Sequence, residues 1–399
     1  MSVIRTFKYR VYPTQEQAVL LNKTFGCARL IYNCILADNI EQYKTTGKVK
    51  QKTHTAFKAQ YPFLSEVDSF ALTTSYNNVK TAYNNFFRGL KEKKHIGFPR
   101  FHSKHGSNQS YTTYNNNGQI RLVGKKLRLP KVGLIEVVWH RRFEGKIKHC
   151  VISKTKTNKY YISICCEAER PQITEVSVHN NSLGIDMAFH KEFAVLSSGK
   201  KTNFPNWYLN SLKKIAILNR RLARTQKGSN NHKKVRLRLA RVYERNANQL
   251  KDWTEKLSFE LAESFDNICV EDIDLRNMSK LFGKQVLNNG FGYFRTRLEQ
   301  KVRLRYGNFV KADKWFPSSQ VCNRCGFRNK VTKDLSVREY ICPSCGSSID
   351  RDYNASLNLA KYSTIATMGS VCGGTCKTCK ETHCALIQAT SCETEKIVV

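Results

Sequence analysis

In "TFKYRVYP", Phe7, Tyr9 and Val11 alternate with polar neighbours, the period of a strand with one buried face. Pro13 ends it, and Thr14 with Gln17 forms a Thr-x-x-Gln capping box ahead of "AVLLNKTF". Helical spacing continues over about 28–44 and returns over about 69–91, where Ala71, Leu72, Val79, Ala82, Phe86 and Leu90 share a stripe. "GFPRF" breaks that helix. From about 110 to 167 short strand-like runs follow: "QIRLV", "KLRLP", "LIEVVW", "KHCVISKT" and "KYYISICCE". The first 170 residues or so therefore predict a β-unit carrying a helical insert.

A polar stretch, "EAERPQITEVSVHNNS", reads as a linker, and the pattern then changes. "SLGIDMAF" and "EFAVLSSG" predict two short strands with a tight connection. A charged helical hairpin spans about 207–263, turning at "KGSNN", with Leu212, Ile215, Leu218 and Leu222, then Val235, Leu239 and Val242, at helical spacing. "FDNICVEDID" is a buried-type strand ending in acid. A helix over about 292–306 leads to the cysteine-rich region, a last helix starts at Asn354, and the tail from about 365 has no periodicity and reads as flexible.

Composition narrows the function. The 399 residues suffice for about two to four domains, and 41% hydrophobic content supports packed cores. Lys and Arg number 67 against 31 Asp and Glu, a formal charge of +36. Self-repulsion of that size calls for a polyanion, and nucleic acid neutralises it through phosphate contacts and counterion release. The basic residues run along the whole chain and do not gather in one amphipathic helix, which argues against a membrane partner. No apolar run approaches the roughly 18 residues of a membrane span, and the N-terminus lacks a signal-peptide core. The 15 cysteines are thus expected in a reducing compartment, where paired Cys-x-x-Cys spacings suggest zinc more than disulfides.

Two Cys-x-x-Cys-Gly knuckles, Cys322/Cys325 and Cys342/Cys345, offer four thiolates at zinc-ribbon spacing. Four protein ligands leave no open position, so that zinc would be structural. The glycine after each knuckle is expected to let backbone N–H groups approach sulfur without a Cβ clash. A second cluster, Cys372, Cys376, Cys379, His383 and Cys384, fits no compact ligand pattern. Asp186 in "LGIDMAF", Glu271 in "ICVEDIDL" and Asp352 in "DRDYNAS" sit at strand ends or a helix start. Singly, each also suits a cap. Together they predict carboxylates gathered at one end of a sheet, which repel unless cations neutralise them. Mg²⁺ takes such oxygen ligands, and two ions about 3.5–4 Å apart activate water and offset leaving-group charge in phosphodiester hydrolysis.

These residues resemble the TnpB family, RNA-guided nucleases of small bacterial insertion sequences related to type V CRISPR effectors. The resemblance runs from about residue 4 to 362 through "YPTQEQ", "FALTTSYNNVKTAYNNFF", "GFPRF", "LGIDMAF", "VEDIDLRNMSK", "WFPSSQVCNRCG", "CPSCG" and "DRDYNASLN". It implies an α/β multidomain protein. A wedge β-barrel (1–20 and 106–178) would hold a helical recognition insert (21–105), and an RNase H-like RuvC nuclease (179–314 and 348–364) would hold a zinc ribbon (315–347), before a flexible tail (365–399). It also implies that Asp186, Glu271 and Asp352, in preference to Asp350, bind catalytic Mg²⁺, and that Cys322, Cys325, Cys342 and Cys345 bind zinc. The implied partners are a guide RNA from the transposon end and double- and single-stranded target DNA, with no membrane, in the bacterial cytoplasm and on the nucleoid when DNA is bound. Positions matching the readers of the transposon-adjacent motif are Ser69, Thr73, Tyr114 and Asn115. The chain carries Ala188 where the family commonly has Gly. The competing functions are a guided repressor without catalysis and a strand-joining transposase. Retention of all three acids favours the nuclease over the first, and the ribbon and wedge favour it over the second.

Overall fold

The computed structural model describes residues 2–104, 109–169, 181–188, 192–203, 206–282, 290–334 and 336–371. The predicted linker falls mostly outside these residues, and the cluster from Cys372 to Cys384 falls wholly outside them. The chain divides into two compact units, Met1–Gln172 and Ile173–Val399. Among the described residues no helix is long and apolar enough to cross a membrane.

In the first unit, β1 (Ser2–Tyr12) pairs with β7 (Tyr160–Glu169) and β5 (Gly133–Val138) in an antiparallel sheet of seven strands. The others are β2 (Gln109–Tyr114), β3 (Arg121–Val123), β4 (Lys126–Leu129) and β6 (Lys146–Lys154), in the order β2-β6-β7-β1-β5-β4-β3. The expected barrel is, among the described residues, an open ladder with β2 and β3 at its edges. The alternation seen in the sequence sets its inner face, where Tyr9 and Val11 are buried and Phe7 packs beside them.

The capping box forms: the Gln17 N–H donates to Thr14 Oγ1, and the Thr14 N–H donates to Gln17 Oε1. It starts one continuous helix, α1 (Gln15–Thr46), which ends at Gly47 in the left-handed region. Against it packs α2 (Ser69–Lys91), capped by Asp68 and burying Ala71, Leu72 and Val79. Leu90 departs from the expected stripe at 60% exposure. Gly89 faces inward in its place, and a Cβ there would lie 2.8 Å from Ile96 Cβ.

The second unit has a mixed five-stranded sheet, ordered β10-β9-β8-β11-β12. Its strands are β8 (Ser182–Met187), β9 (Glu192–Leu196), β10 (Lys201–Asn203), β11 (Asn267–Glu271) and β12 (Asn308–Ala312). The central pairs, β8 with β11 and β11 with β12, are parallel. The predicted hairpin is α3 (Trp207–Arg224) and α4 (Asn230–Ser264). An unforeseen short helix, α5 (Leu275–Phe282), precedes α6 (Phe291–Leu304). The strand period of two divides the side chains: Leu183, Ile185, Met187, Ile268 and Val270 face one core with Leu257, Leu261, Phe294 and Leu298 of α4 and α6. Cys269 faces the other way, towards Leu359 of α7 (Arg351–Val371). This last helix starts three residues before Asn354 and runs beyond 365, so the expected start and tail boundary are both corrected.

Gly184 is the point of closest approach between β8 and α7. A Cβ there would lie 1.9 Å from the Ser356 carbonyl oxygen and 2.5 Å from the Ala360 nitrogen. Neither backbone atom can give way without moving helix or strand. Gly184→Ala is therefore expected to destabilise this unit by about 3 kcal/mol or more, read as a lower denaturation midpoint in urea.

Candidate active site and metal centre

Strand parity decides which side chains meet. The register pairs Gly184 with Cys269 and Ile185 with Val270, so the next residues, Asp186 and Glu271, end neighbouring parallel strands side by side. Both share parity with residues that face α7. Asp352 lies in the first turn of that helix, where the aligned peptide dipoles favour negative charge. The three carboxylates accordingly line one cavity of about 520 Å³. Glu192, Asp272 and Asp274 add acid to its wall, Lys314, Lys333 and Arg338 add base, and Ala188 borders it.

Asp186 and Glu271 are half-buried. Burial first, then the Glu271 and Asp352 carboxylates, hold Asp186 well above the usual carboxylate range. Burial also raises Glu271. Asp352 takes hydrogen bonds from Arg351 Nε and Nη2 at 3.2 and 3.0 Å, and Arg338 lies 3.6 Å away.

Asp350 has a different task. Its Oδ1 accepts from the backbone N–H groups of Asp352 and Tyr353 at 3.0 and 2.9 Å, capping α7, and its Oδ2 pairs with Lys201 at 3.0 Å. Burial works against its charge, but the Tyr353 N–H and the Lys201 ammonium outweigh it and keep the carboxyl below its ordinary value. Of the two acids flanking Arg351, only Asp352 lines the cavity.

The raised acids make a pH-dependent prediction. A carboxyl whose folded pKa lies above its unfolded value of about 4 favours the fold below that pH, and the benefit is lost as pH rises through the folded pKa. In EDTA, Asp186→Asn should thus melt above the parent at neutral pH and converge with it near pH 4. The shift would be about 2–4 °C for each kcal/mol recovered. Added Mg²⁺ should raise the parent and not the variant. Equal melting at every pH would contradict the reading.

Beside the cavity, the four cysteines foreseen as ligands come together, all four sulfurs within 4.8 Å of one another. Cys322 and Cys345 are 3.8 Å apart, and Cys325 and Cys342 are 3.5 Å apart. A tetrahedral ion with Zn–S bonds near 2.3 Å would set sulfurs about 3.8 Å apart. The two knuckles repeat one geometry: Gly326 N–H donates to the Cys322 carbonyl and Gly346 N–H to the Cys342 carbonyl, each at 3.0 Å. The glycines are needed for their left-handed φ of +79° and +69°; a Cβ would meet nothing within 4 Å, which corrects the expected steric reason. The Phe327 N–H, first among its causes, holds Cys325 down to about 7. Cys345 is pushed up to about 11: the Ser347 N–H favours its thiolate, but desolvation and the neighbouring thiols override it. So crowded a set of sulfurs holds full negative charge only around a cation.

Sequence reasoning missed how this module is fastened. Asn354, fully buried on α7, donates to the Val321 carbonyl at 2.7 Å and accepts from the Asn323 N–H at 3.0 Å. Asn358, one turn on, donates to the carbonyls of Ser318 and Val321. Arg351, 7% exposed, reaches the Asp334 carbonyl as well as Asp352. The only signal was the i, i+4 pair of asparagines in "NASLN".

In the first unit, Ser69 and Thr73 occupy the first turns of α2, and Phe70 between them sets its ring 6.1 Å from that of Tyr114, at the end of β2. Ser69 opens on a cavity of about 610 Å³ walled by Arg121, Arg128 and Lys131. Asn115 accepts from the Ile120 N–H in its own loop and donates to the Ile147 carbonyl of β6.

Three family models match the chain: one described as "Helix-turn-helix domain" over residues 1–48, "Probable transposase" over 163–281, and "Cas12f1-like, TNB domain" over 291–359. The first falls on a strand and a single helix here. A protein of Streptomyces pristinaespiralis named "Putative RNA-guided DNA endonuclease" is 33% identical over 93% of this chain and 91% of its own. "TnpB-like protein L79" of Acanthamoeba polyphaga mimivirus is 25% identical over 90% of this chain and 73% of its own. A solved Cas12f1–sgRNA–target DNA complex aligns over 90% of this chain and 99% of that one, at 15% identity and a TM-score of 0.34. Because the Streptomyces relative is 33% identical over 93% of this chain and 91% of its own, the chain belongs to the TnpB family.

Proposed function

We propose that the protein is an RNA-guided DNA endonuclease of an insertion sequence, in which the second unit is an RNase H-like RuvC nuclease and the cysteine module is a zinc ribbon inserted in it. The observation that carries this is the convergence of Asp186, Glu271 and Asp352 on one cavity from two adjacent parallel strands and a helix start. The family relationship and the +36 charge support it.

The donor set fits Mg²⁺: three carboxylates, two of them raised by burial, whose joint ionisation a bound cation favours. When bound there, Mg²⁺ supplies water activation and offsets charge on the leaving 3′ oxygen. The chain itself holds Asp186 and Glu271 in strand register, orients Asp352 through Arg351, and steadies the helix start with Asp350. Lys314, Lys333 and Arg338 on the wall suit the phosphates flanking the cut. Zinc fits Cys322, Cys325, Cys342 and Cys345. Through Asn354 and Asn358 the ribbon then fixes the turn that carries Asp352.

A guide RNA from the transposon end supplies sequence recognition by base pairing, and the protein reads a short adjacent motif on the DNA. In this reading Ser69, Thr73, Tyr114 and Asn115 meet that motif, and Asn115 also holds its own place by accepting from the Ile120 N–H. The test is one tube holding protein, guide RNA, Mg²⁺ and a plasmid bearing the target. Cut plasmid supports the nuclease. Plasmid bound but uncut would make the protein a guided repressor, and joined strands would make it a transposase.

A further inference from the structure

Between the C-terminal half of α1 and α2 lies a cavity of about 630 Å³ that none of these roles uses. Its size is that of a small-ligand site, which usually encloses about 300–1,000 Å³. Its walls are aromatic. Tyr83 and Phe87, one turn apart on α2, have centroids 6.3 Å apart and planes only 20° apart, and Phe98 meets Tyr83 edge-on at 5.6 Å. These rings are not all core: Tyr43 is 65% exposed, Phe87 60% and Phe98 47%. Lys44 and Lys80 stand exposed on the wall. Lys48 and Lys50, exposed in the segment after α1, add positive charge close by in the chain.

A second observation concerns Asn39. It lines the same cavity, is 1% exposed, and its Oδ1 is buried without a hydrogen-bond partner among the described residues. A buried carbonyl oxygen left bare is costly, and a donor entering the cavity would relieve that cost. The ligand must therefore be flat, offer an N–H, and carry negative charge towards the lysines. A second copy of this lysine-rimmed surface would repel, and a purely apolar peptide would leave both Asn39 and the lysines unanswered.

We propose that this cavity takes one unstacked nucleobase of a single-stranded nucleic acid, stacked on the exposed aromatic rings, with an amino group donating to Asn39 and the flanking phosphates against Lys44 and Lys80. Aromatic faces accept any base, and the unpaired oxygen favours bases that carry an exocyclic amine. The inference rests on the nucleic-acid reading above, but not on cutting.

The test uses the full-length protein stripped of bound nucleic acid, without Mg²⁺, at salt that suppresses phosphate-only binding. The probe is a short pyrimidine strand with one central 2-aminopurine, made as RNA and as DNA, beside copies carrying plain purine or an abasic site there. The base-bearing probe should bind about tenfold or more tighter than the abasic one, with 2-aminopurine fluorescence quenched by stacking. Phe87→Ala, at an exposed ring, should abolish both effects, and Asn39→Leu should erase the preference for 2-aminopurine over purine. The tighter of the RNA and DNA arms names the natural source, and equal binding in both would equally support the pocket. Abasic and base-bearing probes that bind alike, unchanged quenching in Phe87→Ala, or self-association of the parent that Phe87→Ala removes would each overturn it. Guided cutting without base discrimination would sink the pocket alone, and discrimination by a chain that never cuts would sink the nuclease reading alone.

Discussion

Alanine at Asp186, Glu271 or Asp352 is expected to lower DNA cutting by about 10³-fold or more, since metal-ion catalysis supplies several kcal/mol of transition-state stabilisation and each 1.36 kcal/mol is tenfold. Each substitution removes a carboxylate from the shared cavity. Guided DNA binding should survive, because base pairing and phosphate contacts would carry it. Binding should even tighten slightly when a negative charge leaves. Asp350→Ala is the internal control. It removes a helix cap, worth about 0.5–2 kcal/mol, together with an exposed pair to Lys201, so its effect should fall on stability more than on cutting. Cleavage and gel-shift assays on the four variants with one guide decide the matter. A near-normal rate at 186, 271 or 352, or a dead Asp350→Ala beside an active Asp352→Ala, would refute the assignment.

The second large effect concerns the four cysteines. Replacing Cys322 or Cys342 with Ser, or stripping the metal with a strong chelator, should unfold the module. Small structural zinc sites draw about 10–16 kcal/mol of apparent binding free energy at neutral pH, and that energy is folding energy. Loss should also stop cutting at a distance, because Asn354 and Asn358 on α7 bond directly to the first knuckle. Elemental analysis should find one zinc per chain in the parent and none in the variant, with new protease cleavage around 318–350. Folded, fully active protein without zinc would remove the claim.

What could be read in the sequence follows from which interactions are local. The period of two gave β1 and the burial of Tyr9 and Val11, and Thr14 and Gln17 gave the start of α1, because both depend on neighbours within a few residues. Even the convergence of Asp186 and Glu271 was legible, as acids at the ends of apolar strands. Three other features were set by contacts beyond the local pattern. Leu90 points to solvent because Ile96 occupies the place beside Gly89. Asn354 and Asn358 look like ordinary helix residues until the Val321 carbonyl is placed beside them. Arg351 stands between two acids, and its burial against the Asp334 carbonyl has no local signature. The family resemblance supplied the order of the modules and the reading role of Asn115, whose bonds to Ile147 and Ile120 have no signal in the sequence.

The most direct measurement is a guide swap. Two plasmids carry different targets beside the same adjacent motif, and the protein is loaded with one guide and then the other, in Mg²⁺. Cutting should follow the guide: each RNA directs cleavage only of its own plasmid, and EDTA stops both. Cutting that ignores the guide, or that persists in EDTA, would contradict that expectation.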